Sequence, residues 1–164
     1  MISILGSLNQ GLLAAYLYKG TLSTRGDYWR AGIEMIKNHP FFGVGLDSYG
    51  DWYRFSRDSV AAHRFEGTVV SNSAHNVFID IAANMGILSL IVYLLIIFFG
   101  LRSAFKIFQN NTKFDTYFVA LFTIWIGYLA QSIISINNIA LAIWGWILSG
   151  LIISMDRWNS INNE

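Results

Sequence analysis

Cysteine is absent from the sequence, proline occurs once, and charged residues fill only 13% of the 164 positions. Without cysteine there is neither a disulfide framework nor a thiolate zinc site. Soluble domains carry about 25% charged residues, so a chain with half that fraction has too few to clothe its surface in water. A disordered tail needs low hydrophobicity and high net charge, whereas here 54% of the residues are hydrophobic and the formal charge is +1. The near-neutral balance also lacks the concentrated basic face of a nucleic-acid binder. What is present instead is apolar and aromatic, and the chain reads as an all-α, polytopic membrane protein.

Charge is segregated along the chain. Three long apolar stretches, 77–101, 117–136 and 139–155, each approach the ~20 residues that cross a ~30 Å hydrocarbon core as a helix. Residues 1–22 form a fourth span or an interfacial helix, since Ile2 to Tyr18 are uncharged but interrupted by Gly6, Asn9, Gln10 and Gly11. A cleavable signal peptide fits less well, because no positive region precedes this segment. Three or four spans are therefore expected. Between the first two long stretches, Arg102, Lys106 and Lys113 face Asp115 alone, which places the 102–116 loop in the cytoplasm by the positive-inside rule. The 156–164 tail is then cytoplasmic, and the long 23–76 segment is an extracytoplasmic loop. That loop holds six of the eleven basic and six of the ten acidic residues.

The first part of the loop has helical texture. Trp29, Gly32, Ile33 and Ile36 fall on one face at i, i+3, i+4 and i+7, with Arg30, Glu34 and Lys37 opposite. Thr24 followed by Asp27 is a capping signal that puts Arg25 in the first turn, and Pro40 closes the helix. A cation at the positive end of a helix dipole is unfavourable by a few tenths of a kcal/mol, unless it helps to hold an anion. Arg25 is accordingly either a solvated arginine or part of an anion site. HPFFGVGLDSYG, residues 39–50, reads as a turn rather than a phosphate-cradling loop, because no βαβ unit surrounds its glycines. Farther on, Arg54, Arg57 and Arg64 are interleaved with aromatics, as a solvated face or as a grip on a polyanion.

Residues 71–86, SNSAHNVFIDIAANMG, carry the sharpest signal. Ser71 or Ser73 can cap the helix of the first long stretch, leaving His75 in its opening turn. That position disfavours the imidazolium, so His75 is expected to be neutral at pH 7, the form a general base needs. An imidazole that only bonds a neighbouring loop is the plainer alternative. Asn76, Asp80 and Asn84 recur every four residues as a polar stripe entering the membrane. Asp80, about 140° around the helix from His75, is expected to pack against another helix rather than orient the imidazole. Gln131, Ser132, Ser135, Asn137 and Asn138 place polar groups at the same level on the second stretch, which suggests a pocket under the loop or simple interhelical bonding. The three histidines and scattered acids make no convincing metal site.

Taken together, Arg25, Trp29, HPFFGVGLDSYG, Ser73-Ala74-His75-Asn76 and Gly86 resemble the C-terminal half of the O-antigen ligase and polymerase superfamily. QSIISINNIALAIWGWILSGLI, residues 131–152, is similar to its later spans. The similarity covers residues 20–155. It implies a GT-C-like membrane glycosyltransferase fold in the bacterial inner membrane, with no cofactor, of which this chain is one part. The implied reaction moves or polymerises a polysaccharide from an undecaprenyl-diphosphate carrier onto an acceptor hydroxyl of a glycan or lipid, without a metal. His75 then matches the general base and Arg25 the diphosphate-binding arginine, while Arg54, Arg57, Arg64 and Asn76 are further substrate-binding candidates. Protein O-oligosaccharyltransferases of the same superfamily share this layout. A non-enzymatic membrane or transport subunit is the alternative of another class, although a transporter predicts paired broken helices and no internal repeat is present. Membrane lipids are expected partners, and nucleic acid is not.

Overall fold

The computed structural model of the chain describes residues 21–63, 70–110, 115–136 and 138–162, and all regular structure among them is helical. The elements are α1 (Thr21–Asn38), α2 (Tyr49–Ser56), α3 (Ser59–His63), α4 (Val77–Asn110), α5 (Thr116–Ser132) and α6 (Ile139–Asn162). The expected span at residues 2–18, together with Arg64 and Asn137, lies outside the described residues.

Two helices, α4 and α6, are long and apolar enough to cross a membrane, and α5 is a shorter apolar helix. The chain is an all-α membrane protein. Their apolar side chains interlock without charge: Ala104, Ile107, Phe118, Trp125, Leu148 and Ile152 form one buried cluster. Trp125 satisfies its indole by donating to Ser149 Oγ at 2.9 Å, and Ser149 in turn donates to Gly145 O at 2.7 Å. Bonding a polar tip inside an apolar contact removes the desolvation penalty of an orphaned N–H.

The helices differ from their apolar stretches at the ends. α4 continues through Arg102 and Lys106 to Asn110, because Ala104 and Ile107 keep one face buried against α5 and α6. Lys106 also pairs with Asp156 of α6 at 3.9 Å. α5 stops at Ser132, where Ile133 N–H turns back to Ala130 and Gln131 carbonyls, so residues 133–136 are not helical. α6 runs seven residues past the expected 155, to Asn162.

The charged segment packs onto the start of α4. Ala31, Met35, Tyr49, Tyr53, Ala74 and Ala83 form its core. The apolar face of α1 is shifted from the one expected: Trp29, Gly32 and Ile36 do pack inward, but Ala31 and Met35 lie at the centre of the buried face, while Ile33 is 45% exposed. The reason is Asp27, 2% exposed, whose carboxylate is neutralised by Arg30, itself also bonded to Asp58 at 2.7 Å. A paired carboxylate can occupy the buried face, which displaces Ile33. Lys37 and Glu34 pair on the outer face at 3.4 Å.

α4 is broken at Gly86, with φ 85° and ψ 170°, a conformation open essentially to glycine alone. The turn after α1 repairs the break. Val44 N–H donates to Ala83 O at 2.8 Å, Gly45 N–H to Asn84 O at 3.0 Å, and Ile87 N–H to Pro40 O at 2.8 Å. Unsatisfied backbone groups in hydrocarbon cost several kcal/mol each, so a broken membrane helix requires such partners. The fit is close: a Cβ on Gly86 would stand 2.0 Å from Phe41 O, and one on Gly43 (φ 67°) would stand 2.4 Å from the Asn84 carbonyl carbon.

Candidate functional site

Above the break, residues 71–76 form a knot of short-range bonds. Ser71 Oγ donates to Ser73 O at 2.7 Å, and His75 N–H donates to Ser73 Oγ at 3.2 Å. Asp80, on the first turn of α4, reaches back to accept the buried Ala74 N–H at 2.6 Å. Asp80 therefore does not merely pack against another helix. It holds the backbone beside His75, although it does not touch the imidazole.

His75 is not in the opening turn of α4, and neither serine caps that helix. Asn76 does, its Oδ1 accepting from Phe78 and Ile79 N–H at 3.0 and 3.1 Å. The short amide at that position outcompetes the more distant hydroxyls, which are occupied within the knot. Asn76 Nδ2 also donates to Ile133 O at 2.9 Å, tying the start of α4 to the end of α5. Both ends of its amide are thus engaged within the protein. His75, just before the cap, takes a left-handed backbone with φ 54°. Histidine is among the few side chains enriched there.

The imidazole stacks on Tyr28 of α1, with ring centroids 5.5 Å apart and planes inclined by 23°. Tyr28 is held from behind by Tyr49, whose hydroxyl donates to the Tyr28 carbonyl, and by an edge contact with Tyr53 at 5.6 Å. Burial raises the Tyr28 and Tyr49 phenols and pushes Tyr53 up to about 12, so all three stay neutral donors. Burial also lowers the His75 pKa from its ordinary 6.5, and the positive charge of Arg25 lowers it further. Both causes favour the neutral imidazole.

Arg25 is the fifth residue of the described α1 rather than part of a first turn. It shares a helix face with Tyr28 at i, i+3, which brings its charge to His75. Among the described residues no acid forms an ion pair with Arg25, whereas Arg30 is held by two.

His75 and Tyr28 line a cavity of about 520 Å³. Its polar wall is Asp47, residues 71–73, Asp80 and Asn84; Leu46, Met85 and Ile136 form apolar edges. Asp47 too has a left-handed backbone, φ 56°, in the turn that repairs α4. Asn84 donates to Asp80 O at 3.0 Å and leaves its Oδ1 buried without a hydrogen-bond partner. Ile136 at this cavity, and Gln131, Ser132, Ser135 and Asn138 in a neighbouring cleft with Val77, put the end of α5 at the level of His75. The other arginines are elsewhere: Arg57 lines a separate groove with Arg30 and Glu34, and Arg54 is exposed on α2. Tyr28 and Asp47 are the site residues that sequence reasoning passes over. A tyrosine three positions after Arg25 was the available signal for the first; nothing local marks the second.

A family model described as O-antigen ligase matches residues 3–94, more than half of the chain. The matched span contains Arg25, the repairing turn, His75 and Gly86, and ends within α4; the likeness drawn for residues 131–152 lies beyond it. No curated protein and no solved structure matches the chain.

Proposed function

The chain belongs to the O-antigen ligase family, and from that premise we propose that it takes part in transferring a glycan from undecaprenyl diphosphate to an acceptor hydroxyl, with His75 as general base. The observation that carries the reading is the setting of His75: a partly buried imidazole stacked on Tyr28, its pKa lowered by burial and by Arg25, facing a cavity with one polar wall and room for a sugar unit. The acceptor O–H gives its proton to the imidazole as its oxygen bonds to the anomeric carbon. The bond from that carbon to the phosphate oxygen breaks, and its electron pair leaves with the diphosphate. Arg25, which does not itself line the cavity but whose charge reaches His75, is the candidate to hold that anion, a guanidinium offering two charge-assisted bonds in place of a metal's charge. Its proximity also fits the order of events, since bound diphosphate would offset the arginine's charge and make the imidazole a better proton acceptor. In this reading Asn76 positions the histidine by capping α4, and the glycan-bearing side of the site is the extracytoplasmic 23–76 segment at the bacterial inner membrane.

The test is complementation of a strain lacking its O-antigen ligase or polymerase by the gene containing this reading frame. His75→Asn and Arg25→Gln should each abolish most glycan assembly while the protein still accumulates in the membrane. Full assembly with both variants overturns the assignment.

A further inference from the structure

The turn that repairs α4 has an exposed apolar tip. Phe41 and Phe42 are 66% and 85% exposed, although their own backbone is locked to the break at Gly86. Their surface continues onto α4 through Met85, Ile87 and Leu88, which are also exposed.

The depth of this tip follows from the charges on α4. Between Asp80 and Arg102 there is none. Gly86 lies 16 residues before Arg102, about 24 Å of helix at 1.5 Å per residue, within a ~30 Å hydrocarbon core measured from that arginine. Measured from Lys106 instead, Gly86 falls about 30 Å away, at the boundary itself. Asp80, six residues before the break, carries the next charge on this side, which favours the boundary or beyond over the hydrocarbon. The break, and the tip bonded to it, therefore sit at the edge of the hydrocarbon. Trp52, in edge contact with His39 at 4.8 Å beside the same turn, supplies the amphipathic indole that favours this level.

From this placement we infer that the Phe41–Phe42 tip is a membrane anchor, inserted into the lipid at the headgroup boundary, so that the 23–76 segment does not stand clear of the bilayer. The backbone just after the tip meets the requirement for non-helical chain at that depth: Gly43 N–H bonds to His39 O at 3.0 Å and the next two amides bond to α4. The consequence is positional: Asn84 and Met85, at the break, also line the cavity of His75. The cavity is then held at headgroup level, where the phosphates of any lipid-borne substrate lie. The anchor itself does not depend on the transfer chemistry.

The chain has no cysteine, so a spin label can be placed at Phe42→Cys, with Phe41→Cys as a second site and Arg54→Cys as the reference, in protein reconstituted in phosphatidylethanolamine and phosphatidylglycerol vesicles. Collisional relaxation by oxygen, which partitions into lipid, is compared with relaxation by a water-soluble nickel chelate. Oxygen dominating at positions 41 and 42, with the nickel chelate dominating at 54, is the expected result. Nickel dominating at 41 and 42 would put the tip in water, and low access to both reagents would mean that another protein segment covers it. Either result overturns the proposal.

Discussion

The ring of Tyr28 lies 5.5 Å from that of His75, nearly parallel to it, and three residues along α1 from the arginine whose charge reaches the same imidazole. One helix face thus supplies both an aromatic wall for the proposed base and the cation that adds to burial in lowering its pKa.

Tyr28→Phe should leave glycan transfer close to normal, because the stacked ring remains. Tyr28→Ala removes an aromatic contact worth about 0.5–1.5 kcal/mol and admits water to the imidazole. Its transfer rate should fall and its acid limb should move toward higher pH. A pH profile of both variants in membranes separates this from a purely structural loss, which would lower the rate without moving the limb.

The pH dependence has a defined sign. Burial and Arg25 place the His75 pKa below 6.5, so activity that needs neutral imidazole should persist below pH 6.5 before declining. Arg25→Gln should raise the pKa only part of the way, since burial, the larger cause, remains. The unfolded chain binds this proton more readily than the folded one, so stability should fall as pH is lowered through the same range. Histidine ring NMR signals in detergent, titrated with and without the substitution, check the direction.

At His75 the left-handed backbone guides the choice of substitution. Asn tolerates φ 54° and cannot act as a base. His75→Asn should therefore melt within about 1 kcal/mol of the parent yet lose transfer by about 10²–10⁴. Transfer retained alongside normal melting would remove the base assignment.

For Asn76, the cap and a substrate contact predict different outcomes. Asn76→Ala should cost about 1 kcal/mol of stability through the lost cap. Asn76→Asp should keep the cap and lose only the bond to Ile133. Thermal unfolding in detergent measures both, and a cap role predicts that Asp restores most of the stability.

The break in α4 should be the least forgiving backbone position. Gly86→Ala forces a side chain into a glycine-only conformation and against Phe41 O, a loss of about 3 kcal/mol or more. Gly127→Ala, on α5 with nothing within 4 Å, should be neutral or stabilising by up to about 1 kcal/mol. Equal melting of the two variants would show that the turn does not brace the break.

The membrane character, the long apolar helices and the helix before Pro40 were legible from the residues alone, because hydropathy, spacing and turn chemistry are local properties of a chain. The tertiary structure decided what local pattern cannot carry. Asp27 is buried beside Arg30, which neutralises it and is itself held by Asp58, and that pairing lets α1 bury a face other than the one centred on Ile33. Asn76 rather than a serine caps α4 because Ser71 and Ser73 are bound into the knot before it. The glycine at position 86 breaks its helix, while Gly127 leaves its helix intact, because only the first has a turn from elsewhere in the chain to accept the freed backbone bonds. Local sequence sets which bonds a segment can make; contacts between distant segments set which of them are made.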